Sequence, residues 1–154
     1  MFMEEESLSQ GMSCKPMKTV VLIECGKIQY DHPVISKELY KGTLFKKSWA
    51  NAAKNFPSAD KFILSTKHYL LDPNTVTSPY NVTFNAMTKA QKQAWANTVI
   101  SQLQGKGYNL NADEFIFYAG KDYSRYLVAP LGPIKNFRLM FAGCKGIGEI
   151  LHSL

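Results

Sequence analysis

Residues 19–27, TVVLIECGK, form a continuous apolar run that ends in a small polar turn carrying a lysine. The same pattern recurs at 62–68 (FILSTKH), 115–122 (FIFYAGKD) and 139–145 (LMFAGCK). Apolar runs without polar alternation are typical of strands buried on both faces, as in parallel sheets. Parallel strands end at one edge of the sheet, and ligands of open α/β sheets bind there. We therefore predict an anion site, above all for phosphate, that gathers four ammonium groups: Lys27, Lys67, Lys121 and Lys145.

The alternation of strand-like and helical segments predicts a three-layer α/β/α fold with a mainly parallel, four-stranded sheet, in one domain over 18–154. The strands are expected at about 18–24, 61–65, 114–118 and 137–141. Helices are expected at about 36–56, with a break near Gly42, and at about 89–104, 121–129 and 147–153. Ser36 and Thr88 are the expected caps of the first two helical regions. The segment 70–87 is predicted to be a long loop of the kind that often carries function.

The composition limits the classes of partner. The 154 residues carry a net charge of +6, which favours polyanions such as nucleic acid, nucleotides or an anionic membrane. The three cysteines show no CxxC spacing and histidines are few, so we expect no metal and no cofactor. No run approaches the roughly 20 apolar residues of a membrane span, and the acidic start is unlike a secretory signal. We expect a cytoplasmic protein with a flexible tail at 1–17 and no membrane partner.

The turn after the second predicted strand holds a dense set of polar groups. Small residues such as Ser65 would let backbone N–H groups approach a ligand, Lys67 supplies charge, and His68 titrates near neutrality. Asp72 is a candidate base or water-orienting carboxylate. A stacking ring and an amide suited to reading a base edge follow: Tyr80 and Asn81. An ordinary Asx-Pro turn followed by a Ser-Pro turn is the alternative for each of these residues.

Two other turns carry candidates. Glu24 ends a strand that is predicted to be buried, so it must be paired with a lysine or be functional. Amides at a helix N-terminus bind anions, and the third strand leads into such a start: Gly120, Lys121, Asp122 and Tyr123. Residues 143–151 match either a glycine-rich strand-to-helix turn or the second half of a helix-hairpin-helix, which grips a DNA phosphate.

Residues 63–73 (ILSTKHYLLDP) and 79–84 (PYNVTF) resemble the LSAKYGLL-dP and PYd motifs of the YaaA-like proteins. Within that group the chain is most similar to a small uncharacterised bacterial and phage domain, over about 18–154. The resemblance implies an α/β/α fold, a link to DNA binding or nucleobase metabolism, and a sheet similar to that of uracil-DNA-glycosylase-like enzymes. The chain departs from the pattern at Tyr69, where the family usually has glycine, and at Asn81, where it often has aspartate. A ring in place of glycine implies an altered pocket.

These residues predict an enzyme that cleaves the N-glycosidic bond of a base, above all a modified one, in DNA or in a nucleotide. Tyr80 and Asn81 would hold the base, the lysines would bind phosphates, and His68 would support the departing base. Three residues could supply the catalytic carboxylate: Asp72, Glu24 and Asp122. The alternative is a non-catalytic protein that binds DNA or a nucleotide in stress response or phage conflict. A third possibility is a protein-interaction subunit whose glycine turns are purely structural.

Overall fold

The fold mixes α-helices and β-strands, and a computed structural model describes it over residues 17–144 and 147–154. The predicted tail at 1–17 lies outside the described residues except for Met17. The strands are β1 (Thr19–Glu24), β2 (Val34–Ile35), β3 (Asp60–Ser65), β4 (Tyr69–Leu71), β5 (Val76–Thr77), β6 (Glu114–Tyr118) and β7 (Phe137–Leu139). The helices are α1 (Ser36–Leu39), α2 (Thr43–Asn55), α3 (Lys89–Gly105), α4 (Lys121–Ser124) and α5 (Ile147–Ser153).

The main sheet has five strands in the order β4-β3-β1-β6-β7. The four predicted strands are present and parallel, with β7 shorter than expected. The expected count of four is corrected by β4, which pairs with β3 in the antiparallel direction. The predicted loop 70–87 also contributes β5, which pairs with β2 in a separate two-stranded sheet. Strands of two or three residues are too short for sequence periodicity to reveal them.

The direction in which successive parallel strands are added reverses at β1, in the centre of the sheet. β1 lies between β3 and β6, so the chain builds outwards from β1 in both directions. In open α/β sheets a crevice forms at the carboxyl ends of the two strands that flank such a reversal. Here that crevice lies where β1 ends at Glu24 and β6 ends at Tyr118.

Both faces of the sheet are buried, because successive side chains of a strand point to opposite faces. One hydrophobic cluster combines Val20 and Leu22 with side chains of α3, among them Trp95, Val99 and Leu103. The cluster on the other face combines Val21 and Ile23 with side chains of α2, among them Phe45 and Ala52. Each fully buried aliphatic side chain stabilises the fold by about 1.5–3 kcal/mol, so the sheet is a firm base for the turns at its edge.

Of the two predicted capping residues, Thr88 caps its helix and Ser36 does not. The capping box predicted by Thr88 is present: Thr88 Oγ1 accepts from the Gln91 N–H at 3.1 Å, and the Thr88 N–H donates to Gln91 Oε1 at 2.8 Å. Ser36 does not cap α1 as expected. Its side chain is buried inside α1 and donates to the Thr75 carbonyl oxygen at 2.5 Å, which ties α1 to the start of β5. The helix expected at 121–129 is shorter than predicted and ends at Ser124.

Candidate functional site

A cavity of about 200 Å³ lies at the crevice between the ends of β1 and β6. The end of β1 supplies Glu24, the turn after it supplies Cys25 and Lys27, and α4 supplies Asp122 and Tyr123. Residues 80–85, which follow β5, form the remaining wall. The volume is below the roughly 300–1,000 Å³ of typical ligand pockets, so the cavity suits one base or one sugar rather than a length of polymer.

Glu24 is the more buried of the two acids that line the cavity. Its Oε1 accepts a hydrogen bond from the Gly120 N–H at 2.8 Å. Burial raises the pKa of the Glu24 carboxyl to about 7, an effect that the Gly120 hydrogen bond partly opposes and the charge of Asp122 reinforces. A carboxyl with such a pKa carries a proton for much of the time at neutral pH, which is the property that a general acid needs.

Asp122 stands at the mouth of the cavity in a different environment. About half of its side chain is exposed, and its Oδ1 lies 3.6 Å from the ammonium Nζ of Lys92 in α3. The Lys92 side chain is largely buried and its Nζ lies 6.0 Å from the centre of the Phe84 ring. The cavity lining thus combines a protonatable carboxyl with a carboxylate, and an ammonium group outside the lining pairs with the carboxylate.

Aromatic side chains form a second wall. The rings of Tyr123 and Phe84 lie 4.4 Å apart, and Trp95 contacts Phe84 edge to face at 4.8 Å. The Cys25 thiol is buried against this wall, with Sγ 3.6 Å from the Tyr123 hydroxyl and 4.0 Å from Thr66 Oγ1. Burial raises the pKa of Tyr123, so its hydroxyl stays protonated.

Tyr80 is held rigidly in the cavity wall. Its hydroxyl hydrogen-bonds Ser65 Oγ at 2.8 Å and the Tyr40 hydroxyl at 2.5 Å, and its N–H donates to Gln29 Oε1 at 2.9 Å. The His68 ring packs edge to face on Tyr80 at 5.2 Å. Burial, and to a smaller extent Lys67, lowers the pKa of His68, which favours the neutral ring.

Ser65 was expected to let backbone N–H groups approach a ligand, but its side chain binds those N–H groups itself. Its Oγ accepts hydrogen bonds from the Lys67 N–H at 3.2 Å and the His68 N–H at 2.9 Å. These two amides are therefore used to close the turn between β3 and β4 and do not face a ligand. The Ser65 carbonyl accepts from Trp95 Nε1 at 2.8 Å, which anchors the same turn to α3.

The structure does not gather the four predicted lysines into one site. Lys27 lines the cavity, whereas Lys67 and Lys121 are exposed and lie outside its lining. Lys145 lies outside the described residues. Lys92 places a cation beside Asp122 of the cavity lining. The sequence does not predict this contact, because a lysine on a regular helix is usually solvated and nothing in the sequence links it to Asp122.

Asp72 lies away from the other candidates, which corrects its predicted position. β4 runs back along β3 as far as Ile63, and Asp72, the next residue of the chain, lines an open groove with Asp60 and Lys61. It is exposed, and its Oδ1 accepts from the Asn74 N–H at 2.8 Å in a local turn. Six of the thirteen predicted residues line the cavity: Glu24, Lys27, Tyr80, Asn81, Asp122 and Tyr123.

Two kinds of feature are absent from the part of the chain that the structure describes. No three His, Cys, Asp or Glu side chains there come together as ligands of a metal ion would. No helix of residues 17–144 and 147–154 has the length and apolarity to cross a lipid bilayer.

Comparison with protein families matches residues 20–154 to a family of unknown function, DUF6884. The match begins at the second residue of β1 and includes all the residues that line the cavity. No curated protein and no solved structure matches the chain. The resemblance to the YaaA-like proteins and to uracil-DNA-glycosylase-like enzymes stays a prediction.

Proposed function

We propose that this chain, which belongs to the DUF6884 family, cleaves the N-glycosidic bond of a nucleotide, either free or within DNA. The observation that carries the proposal is the pair of carboxyl groups at the crevice between β1 and β6. Glu24 is buried with a pKa raised to about 7, whereas Asp122 is half exposed and faces the Lys92 ammonium. Two acids whose environments differ in this way suit opposite roles in one reaction.

In the proposed reaction Glu24 is the general acid. The carbon–nitrogen bond breaks, its electron pair leaves with the base, and the base takes the Glu24 proton. The sugar that remains has oxocarbenium character, which the Asp122 carboxylate stabilises by its negative charge. A water molecule then adds to the sugar carbon and gives up its proton to Asp122, so that atoms and charges balance.

The remaining side chains of the cavity support a nucleotide as the substrate. The aromatic wall of Phe84 and Tyr123 offers ring surface to a base, and the Asn81 amide offers a donor and an acceptor to a base edge. Lys27 supplies positive charge for a phosphate, and the Lys92 ammonium adds a second positive charge beside Asp122. The proposal assumes the three-layer α/β/α arrangement, which the hydrophobic clusters on the two faces of the sheet support.

Release of free base is the direct test. Purified protein is incubated with nucleoside monophosphates and with single-stranded and duplex DNA that contain normal and modified bases, and free base is separated by liquid chromatography. Glu24→Gln keeps the size and the Gly120 hydrogen bond of Glu24 and should lower the rate by about 10²–10⁴-fold, as loss of a general acid does. Asp72→Asn is the matched control and should retain activity. The proposal would be contradicted if wild type released no base from any substrate. Equal rates of release by Glu24→Gln and Asp72→Asn would contradict it as well.

The pH profile tests the role of Glu24 separately. A general acid acts in its protonated form, so the rate should fall by about tenfold per pH unit above the pKa of Glu24, which lies near 7. A rate that rises through this range would make Glu24 a base or nucleophile instead of an acid.

Non-catalytic binding of DNA or a nucleotide is the second candidate, and the exposure of Lys67 and Lys121 outside the cavity favours it. Exposed lysines suit contacts to a phosphate backbone, whose affinity falls steeply with salt. Tight, salt-dependent binding of DNA by wild type and Glu24→Gln alike, with no release of base by wild type, would favour this candidate.

A further inference from the structure

A wider cleft of about 690 Å³ adjoins the cavity. The two spaces share the lining residues Thr66, Asn81, Val82 and Thr83. Residues 81–83 thus form a strap between them, and Thr66 Oγ1 fixes the strap by donating to the Val82 carbonyl oxygen at 2.6 Å. A ligand that fills the small cavity can extend past the strap into the cleft.

Tyr69 stands on the wall of this cleft in an unusual backbone conformation. Its φ is +62°, and it is the single residue other than glycine with a positive φ in the described part of the chain. Residues with a side chain adopt this conformation rarely, and such strain is concentrated at functional sites. The Tyr69 side chain is also 38% exposed, so its ring is not held there by packing in a hydrophobic core.

The charge around the cleft suits a negatively charged ligand. Among the described residues no Asp or Glu lines the cleft, and the sequence of residues 73–112 contains none. The α3 helix has 17 residues and no acid in its first turn, so the positive end of its dipole is not neutralised from within the helix. The exposed Lys67 adjoins Thr66 of the cleft wall.

We propose that the cleft binds a second nucleobase, stacked on Tyr69, so that the substrate is a single-stranded nucleic acid rather than an isolated nucleotide. This inference rests on the proposed function and names its class of substrate. The base of the reacting nucleotide occupies the cavity, and the backbone crosses the strap. The neighbouring base lies against Tyr69, with the side-chain amides of Asn81 and Gln91 in the same cleft. Stacking of this kind tolerates any base, because every base has an aromatic face.

Binding of a short, fluorescently labelled single-stranded oligodeoxynucleotide, measured by anisotropy, tests the inference. All variants carry Glu24→Gln, so that cleavage is slowed by about 10²–10⁴-fold during the measurement. Tyr69→Gly removes the ring and suits the positive φ, and should weaken binding by about 5- to 150-fold, the usual range for one stacked base. Tyr69→Phe keeps the ring and should bind within about twofold of the parent. A nucleoside monophosphate serves as a competitor that lacks the second base and should bind more weakly than the oligonucleotide.

Ala94→Trp is an independent variant, because Ala94 is exposed on α3 and lines the cleft. A tryptophan there should fill the cleft and weaken oligonucleotide binding even if Tyr69→Gly failed to fold. Equal affinity of Tyr69→Gly and the parent, or equal affinity for oligonucleotide and monophosphate, would overturn the inference. The proposed glycosidase activity fails separately, if wild type releases no base from an oligonucleotide that it binds in a Tyr69-dependent manner.

Discussion

The two ends of the β3–β4 pair differ sharply, although both carry an acid, a lysine and an aromatic ring. At the crevice end, the turn that includes Ser65 contacts Tyr80, Trp95 and the cavity that holds Glu24. At the groove end, Asp72 is exposed beside Asp60 and Lys61. Residue types are therefore a poor guide to a site, since burial raises the pKa of Glu24 while Asp72 simply faces solvent.

The largest contrast should appear when a tryptophan is removed from each end. Trp95 is fully packed and donates its indole N–H to the Ser65 carbonyl, so Trp95→Ala should lower the free energy of unfolding by about 3–5 kcal/mol. Trp49 is half-buried and lines the groove near Asp72, so Trp49→Ala should lower the free energy of unfolding by clearly less than Trp95→Ala does. Urea unfolding of both variants measures the difference, and equal losses would mean that the two ends are equally well packed.

The pH dependence of stability should distinguish the two acids. The pKa of Glu24 rises from 4.5 to about 7 on folding, so the folded state holds a proton that the unfolded state releases. The resulting loss of stability begins as the pH rises above the unfolded pKa and is complete above the folded one, and it amounts to about 3 kcal/mol. Urea unfolding at several pH values should show this loss in wild type and in Asp72→Asn, and Glu24→Gln should remove it. A wild-type dependence that Glu24→Gln leaves intact would contradict the burial of Glu24.

Tyr69 allows the strain at the crevice end to be measured. Tyr69→Gly relieves a left-handed conformation that costs about 1–2 kcal/mol, so the variant should be at least as stable as wild type once the greater freedom of glycine in the unfolded chain is included. Tyr69→Val places a β-branched residue at the same φ of +62° and should be destabilised by about 1–2 kcal/mol. Thermal unfolding of the two variants provides the check, and a valine variant as stable as the glycine variant would exclude strain at this turn.

The smallest expected effect concerns Lys92. Its ion pair with Asp122 is partly exposed, so Lys92→Met should change the free energy of unfolding by no more than about 1 kcal/mol. Without the ammonium, the Asp122 charge acts more strongly on Glu24, and the pKa of Glu24 should rise further. NMR titration of the carboxyl carbon measures this shift. Lys37→Met, a change in the groove, is the control and should leave the pKa of Glu24 where it is.

The parallel strands were predictable because a continuous apolar run such as Thr19–Glu24, rich in β-branched residues, is typical of a strand that is buried on both faces of a sheet. Glu24 could be identified from the same run, as an acid at the end of a buried strand. The predicted position of Asp72 was wrong for a physical reason. Residues 69–71 form a strand that runs back along β3 and carries Asp72 away from the crevice, whereas the prediction treated this segment as a loop beside the crevice. A three-residue strand that begins at a residue with positive φ gives no periodic signal.

The hydroxyl of Ser65 serves two groups at once, since it accepts the amides of its own turn and bonds the Tyr80 hydroxyl. A movement of the turn that displaces the Ser65 hydroxyl would therefore also disturb its hydrogen bond to Tyr80, which couples the position of the turn to that of the ring. The cavity wall is thereby preorganised before a ligand arrives, and less ordering entropy has to be lost when one is bound.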